Sequence, residues 1–171
     1  MGKRDGLFSR LLRRFKPLEI DDPFFGRLVY MKISGPGISY WESERQFSPC
    51  SRQVELLIDA PGPKLPPNED QREFFNWVEQ NYAEILKSIE SVARPAMEDL
   101  MRKPLMAKYS DVIGQPFSSA FHLDSFSIPV PRAGVAPKWE MSFESNSDVG
   151  FLVTVELIGA DPQPDISIDF C

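Results

Sequence analysis

Apolar residues recur every three or four positions between residues 74 and 101, in the middle of the chain. This spacing places them on one side of an α-helix, with Glu79, Glu84, Lys87 and Glu90 on the opposite side. The pattern therefore predicts one long amphipathic helix that buries a single face. Its apolar positions are Phe74, Phe75, Val78, Tyr82, Ile85, Leu86, Ile89, Val92, Ala93, Met97, Leu100 and Met101.

The ends of this segment carry residues that are typical of helix boundaries. Asn68 follows two prolines at a position suited to an N-cap, and Gln71 lies three residues later, as in a capping box. Pro104 marks the C-terminal end. Pro95 cannot donate a backbone hydrogen bond, so we expect it to kink or end the helix near residues 92–94.

Apolar and polar residues alternate with a period of two on either side of the predicted helix. This alternation predicts strands at residues 27–33, 38–47 and 52–59, and after the helix at 121–130, 138–144, 151–158 and 166–170. Short turns join most neighbours, which favours antiparallel pairing. The predicted fold is α+β, a mainly antiparallel sheet of about six to seven strands with one long, Pro-kinked helix packed on one face.

The first 16 residues differ in character from the rest of the chain. Leu7, Phe8 and Leu11 have helical spacing and lie among Arg10 and Arg14, which is typical of a short basic amphipathic segment. Three interpretations are open: contact of residues 7–15 with an anionic membrane, docking on the acidic body, or a terminal tail. We therefore divide the chain into an N-terminal arm, residues 1–16, and a single α+β domain, residues 17–171.

Composition is typical of a globular protein, with 42% apolar and 26% charged residues. No apolar run reaches the ~18 residues that span a bilayer, and no signal-peptide pattern follows the basic start. The two cysteines, Cys50 and Cys171, are too few for a disulfide framework. The expected compartment is the cytoplasm.

Charge is distributed unevenly along the chain. Residues 1–16 hold six Lys or Arg and one Asp, a net +5, and because the whole chain is −6, the remainder carries −11. So acidic a body is a poor candidate for nucleic-acid binding, which needs clustered Lys and Arg. The charge favours a basic protein as the partner.

Candidate catalytic chemistry is confined to one place. His122, the only histidine, precedes Asp124 by two residues on a predicted strand, so the two side chains share a face and could form a general-base pair. No G-x-S-x-G elbow accompanies them, and a surface histidine beside an acid is the plainer interpretation. We expect no metal site and no cofactor, because zinc needs about four ligands and the chain has no phosphate-binding glycine loop.

Carboxylates of the predicted strands favour the sheet face away from the helix. They form either a solvated surface that deters aggregation or a recognition face for a basic protein. Tyr40 and Trp41 could add an aromatic contact to that face, although Trp41 suits the core equally well. The carboxylates are Glu42, Glu44, Glu55, Asp59, Glu140, Glu144, Asp165 and Asp169.

Several segments resemble a family of uncharacterised bacterial domains. They are DPFFGRLVYMKI, SYWESERQF, VELLIDAPGP, QREFFNWVEQNY and KWEMSFES, and they cover roughly residues 22–158. The likeness rests on the order and spacing of these segments, and it is similar in style to small immunity or accessory proteins of bacterial polymorphic-toxin systems. No functional residue is established for that family, so the resemblance transfers none to this chain.

The sequence therefore leads to one main hypothesis and two alternatives. The main hypothesis is a non-enzymatic cytoplasmic binding domain of immunity or accessory type that uses its acidic sheet face. The alternatives are a hydrolase-like enzyme using His122 and Asp124, and a peripheral membrane protein held by residues 7–15.

Overall fold

The structure is a computed structural model, which describes residues 17–32, 39–102, 114–146 and 150–170. These residues form eight strands and two helices. The strands are β1 Glu19–Asp22, β2 Gly26–Met31, β3 Tyr40–Phe47, β4 Arg52–Asp59, β5 Phe121–Ile128, β6 Lys138–Ser145, β7 Phe151–Ile158 and β8 Asp161–Phe170; the helices are α1 Glu69–Met101 and α2 Phe117–Ala120.

The strands form a single sheet in the same order as they occur along the chain. Six of the seven described pairs are antiparallel, and only β4 and β5 pair in parallel. Parallel neighbours need a long crossover connection, which here contains α1. The predicted α+β class, the mainly antiparallel sheet and the single long helix are confirmed.

The strand count is higher than the six to seven predicted. The additional strand is β1, whose sequence Glu-Ile-Asp-Asp contains one apolar residue and therefore shows no alternation. A turn holds it against β2, since the Asp22 Oδ1 accepts hydrogen bonds from the Phe24 and Phe25 N–H groups at 2.8 and 2.9 Å. Gly26 completes the turn with φ of +80°, a backbone conformation that glycine adopts without strain.

Helix α1 begins where the sequence predicts. The Gln71 N–H donates to the Asn68 Oδ1 at 3.1 Å, and the Asn68 N–H donates to the Gln71 Oε1 at 3.2 Å, which completes the capping box. The helix does not end near residues 92–94 but continues through Pro95. Ala93 and Met97 are buried on either side of the proline, so core packing holds the helix across the missing hydrogen bond.

The core lies between α1 and one face of the sheet. Phe75 is fully buried and stacks on Phe126 of β5 at 5.9 Å between ring centroids, while Phe74 meets Trp139 of β6 edge to face at 5.2 Å. Each such aromatic side chain stabilises the fold by about 1.5–3 kcal/mol through burial alone. Among the described elements, none packs over the opposite face of the sheet.

Gln71 joins the helix to the centre of the sheet. It is fully buried, and its Nε2 donates to the backbone oxygens of Asp59 at 2.9 Å and Ile128 at 3.3 Å, which end β4 and β5. The same side chain caps α1 through its Oε1. One amide therefore ties the helix start to the ends of the only parallel pair described.

Replacing Gln71 with Leu should lower the free energy of unfolding by about 2–4 kcal/mol, because it leaves buried backbone groups without a hydrogen-bond partner. Urea unfolding measures the change. Gln80→Leu, at an exposed position of the same helix, is the control and should change stability by less than about 0.5 kcal/mol. Equal losses in the two variants would contradict the role given to Gln71.

Candidate functional site

The sheet face opposite α1, which we call the open face, carries most of the predicted site. Alternate residues of a strand point to opposite faces, so the burial of Trp41, Leu56, Ile58, Trp139, Met141 and Phe143 against α1 directs their neighbours outward. The predicted residues placed on the open face in this way are Tyr40, Glu42, Glu44, Glu55, Asp59, Glu140 and Glu144. On β8, Asp165 and Asp169 alternate with Ile166 and Ile168, which pack against the core.

Trp41 does not lie on this face. Its side chain is fully buried, its Nε1 donates to the Leu65 backbone oxygen at 2.7 Å, and its ring lies 5.0 Å from that of Tyr30. Tyr40 and Glu42 take the open face, so Trp41, between them on the strand, must take the other. The proposed aromatic contact is therefore reduced to Tyr40, which donates to the Glu42 Oε1 at 3.2 Å.

The densest charge on the open face surrounds Glu55. Glu44 and Glu55 stand directly opposite each other on β3 and β4, an arrangement of like charges that destabilises a sheet. Partial loss of hydration, together with repulsion by Glu42, Asp124 and Glu44, raises the pKa of Glu55. A shallow groove of about 310 Å³, here called the acidic groove, is lined by Arg27, Val29, Glu42, Ser43, Glu44 and Glu55.

The described cations leave these carboxylates unpaired. Arg27 lies at the rim of the groove, but its guanidinium binds Glu19 at 2.9 Å. Arg45 belongs to the same strand as Glu42 and Glu44, yet its guanidinium lies 4.3 Å from the centre of the Phe24 ring. Among the described residues, Glu42, Glu44 and Glu55 form no salt bridge.

A second like-charge pair on the open face is partly neutralised. Glu140 and Glu156 stand opposite each other on β6 and β7. The Lys138 Nζ lies 2.7 Å from the Glu156 Oε2 and offsets one of the two charges. The uncompensated negative charge is therefore greatest at β3 and β4.

His122 has partners other than the predicted Asp124. Its Nδ1 lies 2.8 Å from the Asn146 Oδ1, and its Nε2 lies 3.5 Å from the Glu144 Oε2 on the neighbouring strand. The Asn146 Nδ2 donates to the Ser119 backbone oxygen, so the Asn146 Oδ1 faces the imidazole and accepts from it. Asp124 lies at a β-bulge and contributes to the charge around Glu55.

The sequence showed which strands carry acids, but it did not reveal Asp124 and Arg27 as neighbours of the acidic groove. Their proximity depends on strand register and on the bulge in β5, and neither is marked by a pattern of residues. The predicted arm residues lie outside the described residues; these are Leu7, Phe8, Arg10, Leu11 and Arg14.

Two further properties concern the described part of the chain. No helix in it combines the length and apolarity needed to cross a membrane. No three of its His, Cys, Asp and Glu side chains are grouped so that they could hold a metal ion.

Comparison with known proteins adds no relative. No protein-family model, no curated protein and no solved structure matches the chain. The resemblance to bacterial immunity or accessory proteins therefore rests on the quoted segments alone.

Replacing Glu55 with Gln should raise the free energy of unfolding at pH 7 by roughly 0.5–1 kcal/mol, a range reduced for the solvent exposure of Glu55. A carboxyl group whose pKa is raised on folding destabilises the protein above that pKa, and the penalty disappears as pH falls and the native carboxyl becomes protonated. The gain should therefore shrink between pH 7 and pH 4. Denaturant unfolding at both pH values measures it.

Glu84→Gln is the matched control, because Glu84 is exposed on α1, away from the acidic groove. It should leave stability unchanged at both pH values. If Glu55→Gln does not stabilise the protein at pH 7, the repulsion assigned to the acidic groove is contradicted. A stability gain that grows between pH 7 and pH 4 would contradict it as well.

Proposed function

We propose that the protein is a non-enzymatic binding domain that holds a basic protein on its open face. The observation that carries this proposal is the set of unpaired carboxylates in the acidic groove, where Glu44 faces Glu55. A sheet that only needed a solvated surface would gain stability from Lys or Thr at one of these positions. A basic side chain from a partner would relieve the repulsion on binding and supply affinity there.

The size of the open face supports the same function. The eight strands are four to ten residues long. At ~4.8 Å between strands and ~3.3 Å per residue, the sheet spans on the order of 900 Å². A standard protein interface buries about 800 Å² on each partner. The face is therefore large enough for a stable complex, and the acidic groove lies on β2, β3 and β4, in one half of it.

The character of the partner follows from the charge. Complementary fields raise association rates and reject partners of like charge. A small toxin or other basic cytoplasmic protein fits the resemblance to immunity and accessory proteins, and it fits the net charge of −11 on residues 17–171.

The hydrolase alternative has less support. A general base needs a nucleophile or substrate proton within reach of its lone pair. The His122 Nδ1 donates to Asn146, which leaves the lone pair on Nε2, and the described neighbour of Nε2 is the Glu144 carboxylate at 3.5 Å, which has no proton to give. The peripheral membrane alternative depends on residues 7–15, which lie outside the described residues.

Changing Glu44 and Glu55 together to Lys should abolish capture of the partner. The full-length protein is immobilised, exposed to lysate of the native host, and the retained proteins are identified by mass spectrometry. We expect a basic protein that the wild type retains at low salt, that 0.5 M salt releases through screening of the charges, and that the variant fails to retain.

A second double variant, Glu84→Lys with Glu98→Lys, is the control. It makes the same change in net charge at exposed positions of α1, so any effect of overall charge appears in both variants. Retention of the same partner by both double variants, or loss from both, would overturn the assignment of the open face.

A further inference from the structure

A second cleft lies at one end of the sheet, outside the acidic groove. Its volume is about 560 Å³, within the ~300–1,000 Å³ typical of small-molecule sites. Apolar residues supply most of its wall: residues 60–61 after β4, residues 129–130 after β5, and residues 135–137 before β6. We call it the end cleft.

The end cleft occupies a position where sheets commonly bind ligands. It opens at the carboxyl ends of β4 and β5, the parallel pair. From there β4 leads into the α1 crossover and β5 leads into the connection to β6. Crevices form at such points because the chain departs from neighbouring strands in different directions. Gln71 fixes both strand ends through their last backbone oxygens, so the cleft is preformed.

The connection between β5 and β6 forms one wall of the end cleft, and this wall is stiff and has few backbone hydrogen-bond donors. Pro129, Pro131 and Pro137 have fixed φ angles and no N–H, and a bridge between Arg132 and Val135 closes the turn between them. Val135 is 62% exposed at this wall. An apolar group bound in the cleft would cover this exposed side chain.

Asp59 is the carboxylate of the end cleft. The last residue of β4, it is half-buried, and burial raises the pKa of its carboxyl group. Its backbone oxygen is used by Gln71, but its carboxylate has no hydrogen bond or salt bridge within the described chain. Two cations also line the cleft, Lys138 and Arg132. The Lys138 ammonium is held by Glu156 at 2.7 Å, and the exposed Arg132 forms no salt bridge with Asp59.

We propose that the end cleft binds a ligand with a protonated amine on an apolar carbon frame. The Asp59 carboxylate accepts hydrogen bonds from the ammonium group, and the apolar walls of residues 129–130 and 135–137 cover the frame. A charge-assisted hydrogen bond at a partly desolvated carboxylate is about twice as strong as a neutral one. The cleft therefore distinguishes an amine from an alcohol of the same shape.

Three probes that share one carbon frame test the proposal: 4-phenylbutylamine, 4-phenylbutanol and 4-phenylbutyrate. Each is titrated into the full-length protein at pH 7 by calorimetry or ligand-observed NMR. We expect the amine to bind about tenfold more tightly than the alcohol, a difference of about 1.4 kcal/mol, and the carboxylate to bind most weakly. Equal affinities for amine and alcohol, or no binding of any probe, would overturn the proposal.

Two variants locate the binding and separate it from the proposed protein-binding function. Asp59→Asn keeps the shape of the cleft and removes its charge, so the amine should bind no better than the alcohol. Changing Glu44 and Glu55 to Lys should leave the preference for the amine intact, because these residues line the acidic groove and not the end cleft. Loss of the preference in the groove variant, with its retention in Asp59→Asn, would place the amine in the groove and overturn the inference.

Discussion

Helix α1 packs on one face of the eight-stranded sheet, and the described chain has no second layer for the other face. Because strand residues alternate between faces, this one-sided packing assigns half of each strand to the core and half to the surface. Phe47, Phe75 and Phe126 meet in the core. Because the alternate residues of β3 and β4 are buried in this core, Glu44 and Glu55 both lie on the open face. The packing of the core therefore also places the carboxylates of the acidic groove.

Period and capping residues were sufficient to predict much of this architecture. Asn68 and Gln71 marked the start of α1. The alternation in β6 showed that Trp139 and Met141 lie on the same, buried side of the strand. Strand β1 was missed because its short sequence has no apolar alternation. The helix continues through Pro95 because buried neighbours stabilise it, an effect of tertiary packing that local sequence does not report.

The candidate sites were less accessible to sequence reasoning because they depend on register. Alternation placed Glu44 and Glu55 on one face, but only strand pairing shows that they stand opposite each other. Which acid lies beside His122 also depends on register, since Glu144 reaches the imidazole from the neighbouring strand β6 while Asp124 lies at a bulge. The end cleft combines chain segments on both sides of a long crossover, and no local pattern marks it.

The single parallel pairing divides the sheet into two local halves, β1–β4 and β5–β8, each a meander of sequential neighbours. Residues 60–120 separate the strands that must meet at the junction. Closing a flexible loop of that length costs about 3–4 kcal/mol of chain entropy. Formation of α1 reduces the length of flexible chain that must be closed before the two halves meet. We therefore expect the junction of β4 and β5 to assemble last during folding, with Gln71 bonding both strand ends only once the two meanders are side by side.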